Sequence, residues 1–451
     1  MTYREALLYL ERVQGRGIKL GLENVGRLLD AMGRPHHTCA SVAVAGTNGK
    51  GSVCAFLSSI LSRAGMRAGL YTSPHLVRYE ERIAVDGRPI DEAAFASAIG
   101  AVAEKIEELM ASGALASHPT HFEILTAAAL AHFAEARVDA AVLEVGMGGR
   151  LDAVGIAPAA VSVITTIGLE HTQFLGSTHE AIAAEKAGIM RAGQTAISGV
   201  DHPGAARVIL EKAATLGVKL VQLAGAARIE DEPGRTGSFT LTTQRERYEG
   251  LLLPLAGRHQ RDNAAMAVLA AEALDAARVL PRAMTKDAVI HGIAQTRWPG
   301  RLQIVAREPL FLIDGAHNPA GCAALARAID ALHEEGAFER LCVIFGALKE
   351  KDVVSMAREI FPRAHHLILT RGRAERFRDP GDLARETADA RGAAATIPAV
   401  VEDLGTAIDA ARSRCGPRDA MLLCGSLYLV GDALELMGIE PFPRAAAASR
   451  A

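Results

Sequence analysis

Ser41-Val42-Ala43-Val44-Ala45-Gly46-Thr47-Asn48-Gly49-Lys50-Gly51-Ser52 is the stretch on which the reading of this chain turns. The run SVAVAG (41–46) reads as a buried strand, and a helical pattern takes over from Lys50 to Ala64. Between them the glycines let the backbone wrap so that its N–H groups point inward at a phosphate. The helix start adds partial positive charge. Lys50 can reach the outer phosphates of a nucleotide, and Ser52 or a neighbour can hold Mg²⁺. The common pattern G-x-x-x-x-G-K-[ST] is not met, because Val44 stands where it needs glycine and Gly51 where it needs Ser or Thr. A Gly-rich turn with no ligand is the plainer alternative, but a lysine at a helix start opposes the dipole and needs a reason to be there.

Outward from this loop, short apolar runs alternate with helical patterns. Strands are expected at 67–72, 139–145, 161–168, 195–199 and 218–223, and helices at 122–136 and 178–190. Such alternation means a largely parallel sheet covered on both faces. Residues 230–237 read as a loop, 238–243 and 247–253 as antiparallel strands, and 263–277 and 285–295 as helices. The turn signal in Arg297-Trp298-Pro299-Gly300-Arg301 marks a boundary. Beyond it strands are expected near 310–314, 341–345, 366–370, 394–397 and 420–424. The expected architecture is α/β: an N-terminal P-loop parallel-sheet domain (1–296), a C-terminal Rossmann-like domain (297–443) and a disordered tail (444–451). Hydrophobic residues make up 49% of the chain and aromatics only 4%, which suits close helix–sheet packing by small side chains.

The net charge is −3 with both signs mixed, so neither a nucleic-acid face nor a membrane face is expected. The six cysteines form no C-x-x-C pair, which suits a reducing compartment. The opening MTYREALLYLERVQ reads as an amphipathic helix and not a signal peptide. No apolar stretch reaches the ~18 residues of a membrane span. The expectation is a cytoplasmic protein.

Ligands of α/β sheets collect at the carboxyl ends of strands. Three polar residues lie there: Ser73 after the strand RAGLYTS, Glu144 at the end of AAVLEV and His171 after VSVITTIG. Magnesium prefers oxygen ligands, so on chemistry alone Glu144 ranks above Ser73 and both above His171, which reads as a hydrogen-bonded loop residue. Lys186, on its residue type alone, reads as a solvated helix lysine.

The segments GTNGKGS (46–52), TSPHL (72–76), THFEILT (120–126), EVGMGGRLD (144–152), His171-Thr172 through EKAGI (185–189), WPGRL (298–302), DGAHNP (314–319) and GSLYLVGD (425–432) run in order along nearly the whole chain. Together they resemble the folylpolyglutamate synthases, which in many bacteria are also dihydrofolate synthases, in the Mur ligase superfamily. The resemblance implies an ATP-dependent ligase that makes an acyl phosphate and joins it to the amine of L-glutamate. The acid is dihydropteroate or a reduced folate.

By the same resemblance, Thr47, Asn48, Gly49, Lys50, Gly51 and Ser52 cradle the ATP phosphates. Asn263 lies near the base, Arg301 and Asp314 are nucleotide contacts from the hinge and second domain, and His317 is a neighbouring catalytic residue. Ser73 and Glu144 resemble ligands of one Mg²⁺, and His171 a ligand of a second. Lys186 resembles a lysine that becomes carbamylated, which would make it anionic and oxygen-bearing. Ile18, Lys19, Leu20, Thr120, His121, Phe122, Glu123, Leu151, Asp152 and Ala153 are the implied pterin site, where an aromatic ring can stack and a carboxylate accept N–H groups. One departure stands out: after GGRLDA the family continues Thr-Asn, and this chain reads Val154-Gly155. The family implies a monomer and leaves a monovalent-cation requirement open.

Two other readings compete. A Mur-type ligase acting on a cell-wall precursor would carry a further N-terminal domain, for which the residues ahead of Ser41 offer no room. A regulatory P-loop NTPase would need neither the second domain nor the lysine of EKAGI.

Overall fold

The computed structural model describes residues 1–14, 21–232, 237–390 and 397–442. Strand β1 (Ala40–Ala45) lies inside the first sheet, with residues 41–45 buried on both faces. Only small and β-branched side chains fit there, and the run supplies them. Around it lie β2 (Ala68–Tyr71), β3 (Ile83–Val85), β4 (Arg88–Pro89), β5 (Ala140–Glu144), β6 (Val161–Ile164), β7 (Thr195–Ser198) and β8 (Lys219–Gln222). The order is β4-β3-β2-β5-β1-β6-β7-β8, parallel from β2 to β8 with an antiparallel β3–β4 edge. Val44 faces Glu144 of β5 on one side, and Ala45 faces Ile164 of β6 on the other. The loop after β1 therefore leaves between two strand ends, where such sheets bind ligands.

Helices cover both faces. The helix Lys50–Arg63 packs beneath the helices His259–Ala276 and Lys286–Ala294, around Val53, Phe56, Ile60, Ala267 and Val289. On the other face Glu92–Ala111 and His121–Glu135 pack together and carry the N-terminal helix Tyr3–Gln14.

Strands β9 (Ala227–Asp231), β10 (Ser238–Thr243) and β11 (Arg247–Leu252) form a separate antiparallel sheet. Residues 230 and 231 were expected in a loop and are strand instead, paired with Thr240 and Phe239. β9 is an edge strand whose exposed side chains are charged, so it lacks the apolar signature of a strand.

The C-terminal sheet contains β12 (Gln303–Arg307), β13 (Leu310–Ile313), β14 (Leu341–Phe345), β15 (His366–Leu369), β16 (Ala399–Val400) and β17 (Ala420–Cys424), in the order β12-β13-β17-β14-β15-β16. All pair in parallel except β12. Of the strand expected at 394–397, residues 394–396 lie outside the described residues, and the edge strand found is β16. The tail expected at 444–451 also lies outside them.

The two halves interlock. Leu76 and Val77, from the loop after β2, pack into the C-terminal core around Leu429, Val430 and Leu434. Arg78 Nη2 pairs with Glu440 Oε2 at 3.0 Å. A Cβ on Gly431 would lie 2.0 Å from the Leu76 carbonyl oxygen, so only glycine admits the loop. All six cysteines are free thiols. Among the described residues no helix is long and apolar enough to cross a membrane.

Candidate active site

The chain leaves β1 at Gly46, with φ +147°. A side chain there is impossible, because a Cβ would lie 1.8 Å from Thr165 Oγ1. Residues just after β6 hold the loop in shape. Thr47 N donates to Thr166 O at 2.8 Å, Asn48 N to Thr166 Oγ1 at 3.1 Å, and Thr165 Oγ1 to Asn48 O at 2.6 Å. The helix Lys50–Arg63 begins after Gly49 with no side-chain cap, leaving its first N–H groups as donors for an anion.

Gly51 packs under Trp298, the only tryptophan. A Cβ there would meet three indole atoms at 2.7 to 3.0 Å. The missing Ser/Thr of the common pattern is thus a matter of space. Asn263 packs on the same loop, its Oδ1 2.4 Å from where a Gly49 Cβ would stand.

Two lysines converge here. Lys50 Nζ donates to Gly46 O and Thr47 O at 3.1 Å each, and Lys186 Nζ donates to Gly46 O at 2.7 Å. Lys186 is 5% exposed, which corrects the solvated-lysine reading. Its neighbour Glu185 takes the outward position, paired with Arg150, while Lys186 points under the loop. Burial first, and then the charge of Lys50, pull the Lys186 amine down to about 7. Near neutral pH such an amine is substantially uncharged and nucleophilic.

Glu144 is buried at the end of β5, and its Oε2 accepts from Ser73 N at 3.1 Å. None of the described ion pairs includes it, and burial raises its pKa against the pull of Lys50 and the Ser73 amide. His171 sits at φ +51° before the short helix Thr172–Leu175. Burial lowers its pKa, favouring the neutral ring that can ligate a metal. Among the described residues no three His, Cys, Asp or Glu side chains form a metal-holding group. A hydroxyl and an unpaired buried carboxylate beside a phosphate loop fit a hard divalent cation that takes its remaining ligands from phosphate and water.

A cavity of about 440 Å³ opens beside these strand ends and is walled by both halves. Ser73, Thr120, His121, Phe122, Glu123, Leu151, Asp152, Ala153, His171 and His317 line it. Ile18, Lys19 and Leu20 lie outside the described residues. Thr120 and Glu123 also form the capping box of helix His121–Glu135, so part of their role is structural. The Phe122 ring lies against Gly146, 2.7 Å from where a Cβ would be. Asp152 accepts N–H groups from Gly146, Met147 and Val154 at 3.0 to 3.1 Å, and burial pushes its carboxyl up to about 6. Val154 is fully buried in the core, so in place of the family's Thr the chain packs an apolar side chain there.

From the C-terminal half, Asp314 accepts from Leu302 N and Ala316 N at 2.7 Å each. The half-buried Arg301 guanidinium faces the charges of Asp314 and Glu144. His317 Nε2 lies 3.2 Å from Glu170 Oε1, and Asn318 pairs with Asn48.

The sequence reading missed Arg82, Glu170, Lys351, Arg376 and Tyr428, all of which line the cavity. Arg82 is 7% exposed, donates to His75 Nδ1 at 2.9 Å and is in none of the described ion pairs. Burial and this cation hold His75 and His121 down to about 3 and about 4. Arg376 lies over the Tyr428 ring at 5.1 Å. In the sequence these charges look like solvated surface.

Residues 44–271 match the Mur ligase middle domain and residues 300–427 the Mur ligase glutamate ligase domain. The chain is 34% identical to a dihydrofolate synthase/folylpolyglutamate synthase of Bacillus subtilis over 434 residues, covering 96% of this chain and 98% of that protein. It is 36% identical to a probable bifunctional folylpolyglutamate synthase/dihydropteroate synthase of Halobacterium salinarum, covering 96% of this chain but 51% of that protein, so it spans about half of that relative. The fold is similar to E. coli FolC in complex with DHPP and ADP (TM-score 0.85, 31% identity, 97% of this chain and 98% of that one). It is also similar to the Yersinia pestis bifunctional synthase complexed with AMPPNP and Mn ion (TM-score 0.83, 29% identity, 97% and 98%).

Proposed function

The chain belongs to the dihydrofolate synthase/folylpolyglutamate synthase family of Mur ligases and is an ATP-dependent ligase, and from that premise we propose that it joins L-glutamate to dihydropteroate or to the glutamate tail of a reduced folate. The observation that carries this is the shared cavity. Ser73 and His171, the described residues proposed for the pterin and the C-terminal His317 and Lys351 surround one space, and the phosphate loop is hydrogen-bonded to Gly168 and Asn318, which neighbour that wall. In the proposed reaction a carboxylate oxygen of the acid attacks the γ-phosphorus of ATP and ADP leaves. The glutamate amine then attacks the acyl carbon, phosphate leaves, and the amine gives up a proton.

In this reading Thr47 to Ser52 hold the phosphates, and Lys50 swings from its own carbonyls to the outer ones. Asn263, Arg301 and Asp314 hold the nucleotide from two sides. Phe122 and the Asp152 loop hold the pterin, with Thr120, His121, Glu123, Leu151 and Ala153 around it. Ser73 and Glu144 would hold one Mg²⁺ and His171 a second, and when bound these ions screen the charge between the approaching carboxylate and the phosphates. A carbamate on Lys186 forms when its neutral nitrogen adds to CO₂ and releases a proton, and it gives the site an oxygen anion in place of an ammonium. Closure of the 297–443 half over the 1–296 half excludes water from the acyl phosphate. The same reading includes a cytoplasmic monomer.

The test supplies purified protein with ATP and L-glutamate plus either dihydropteroate or a reduced folate, and follows ADP release and product mass. A mass gain of one glutamyl residue is expected with at least one acid. ADP release indifferent to both acids and to glutamate would instead favour a regulatory NTPase.

A further inference from the structure

Two small sets of hydrogen bonds cross between the halves beside the phosphate loop, and both start from consecutive residues ahead of the helix Pro319–Glu334. Asn318 and Asn48 exchange amide hydrogen bonds, at 3.1 Å in one direction and 2.9 Å in the other. Asn318 Oδ1 also caps its own helix by accepting from Gly321 N at 2.8 Å. His317 Nε2 lies 3.2 Å from Glu170 Oε1, and Lys351 Nζ donates to the same oxygen at 3.0 Å. The side chains of Glu170 and Lys351 are only 10% and 12% exposed, so this contact is little screened. Burial alone would raise the Glu170 carboxyl, but His317, Lys351 and Lys50 outweigh it and hold it far below the usual carboxylate range.

Both N-terminal anchors belong to the phosphate site. Asn48 is in the loop after β1, and Glu170 follows β6. Those two segments are tied together by Thr47 Oγ1, which accepts from Gly168 N at 3.0 Å. The other junction between the halves, at Leu76 and Val77, is mainly apolar and interlocked, with the Arg78–Glu440 ion pair beside it. One side of the interface is thus a fixed seam and the other a set of polar contacts that can open.

We propose that Glu170 and Asn318 are positioning residues that form a two-point clip, holding His317 and Lys351 over the phosphate loop and keeping water from the acyl phosphate. This rests on the ligase reading above. Water reaching the acyl phosphate breaks its acyl–phosphate link and returns the free acid and inorganic phosphate, so ATP is consumed without an amide. A merely structural residue would lower the rate without changing that partition.

The test uses the full chain with ATP, L-glutamate and either 7,8-dihydropteroate or a reduced folate, whichever the wild type accepts, counting ADP released per amide formed. Glu170→Gln keeps the shape and removes the charge. Asn318→Asp keeps the oxygen that caps the helix and removes the donor to Asn48. Both are expected to retain the wild-type circular dichroism and melting point. Amide formation should slow roughly tenfold or more, since a charge-assisted or buried hydrogen bond is lost. ADP per amide should rise several-fold from the wild-type value and fall back as glutamate is raised, because the amine competes with water. Variants that stay as tightly coupled as a working wild type overturn the clip, whether or not they are slow. A wild type that forms no amide overturns the ligase reading itself, and so the two failures are distinguishable.

Discussion

Gly51→Ala adds one methyl group where the indole of Trp298 already stands. The new Cβ would lie 2.7, 2.9 and 3.0 Å from three ring atoms. Carbon atoms pack best at about 3.5–4.0 Å, so the ring must retreat by roughly 0.8 Å. It has little space to do so. Trp298 packs on the second N-terminal core and has the Phe442 ring at 6.2 Å on another side. Overpacking of this kind costs about 1–3 kcal/mol. The displacement also reaches Arg301, three residues on, so nucleotide affinity should fall as well. Because the chain has a single tryptophan, its fluorescence reports this site alone. Gly51→Ala should shift the emission and lower the denaturant midpoint. In a Trp298→Phe background the smaller ring should recover at least about 1 kcal/mol of that loss, read as a coupling energy in a double-mutant cycle. An unchanged midpoint and emission, or the same loss in both backgrounds, would refute the steric account.

Lys50→Ala should abolish ligation by roughly a hundredfold or more while leaving the circular dichroism unchanged, since it removes a phosphate contact and no core packing; wild-type turnover would remove the loop from the mechanism. Lys186→Ala should lose activity severely and regain part of it with added acetate or formate, whereas full activity without them would show that no carbamate is needed. For Asp152, burial raises the folded-state pKa to about 6 above its unfolded value. The folded form holds that proton more tightly, so the contribution to stability is complete below the unfolded pKa and is lost as pH rises through about 6. Between pH 4 and 7 the wild type should lose on the order of 2 kcal/mol relative to Asp152→Asn, measured by denaturant titration at each pH. A difference independent of pH would contradict the assignment.

The legible parts of the chain were those where one physical demand dominates. β1 had to be small and apolar, and the loop after it had to be glycine-rich. The parallel alternation on both sides of the 297–302 turn followed from the same pattern. β9 was hidden because an edge strand can carry charged residues such as Arg228 and Asp231 exposed to solvent. Lys186, Arg82 and Glu170 were hidden for a common reason. A buried charge leaves no mark in sequence unless its partner is known, and the partners here come from distant segments, such as Lys351 for Glu170 and Gly46 for Lys186. The fold brings Ser73 and Glu144 together, as their places at neighbouring strand ends suggested. Thr120 and Glu123 turned out to cap a helix, a local pattern that the ligand reading had overshadowed.

The close approach of Leu76 to Gly431 bears on how far the halves can be exchanged. Cut off near residue 297, the C-terminal half would bare a slot shaped for two aliphatic side chains and a main-chain oxygen, a sticky surface. A chimera that joins this N-terminal half to a foreign C-terminal half inherits the same condition. Its success would hang on a position whose contribution is to have no side chain at all. Compatibility between the parts of this ligase is set as much by that hollow as by the residues that react.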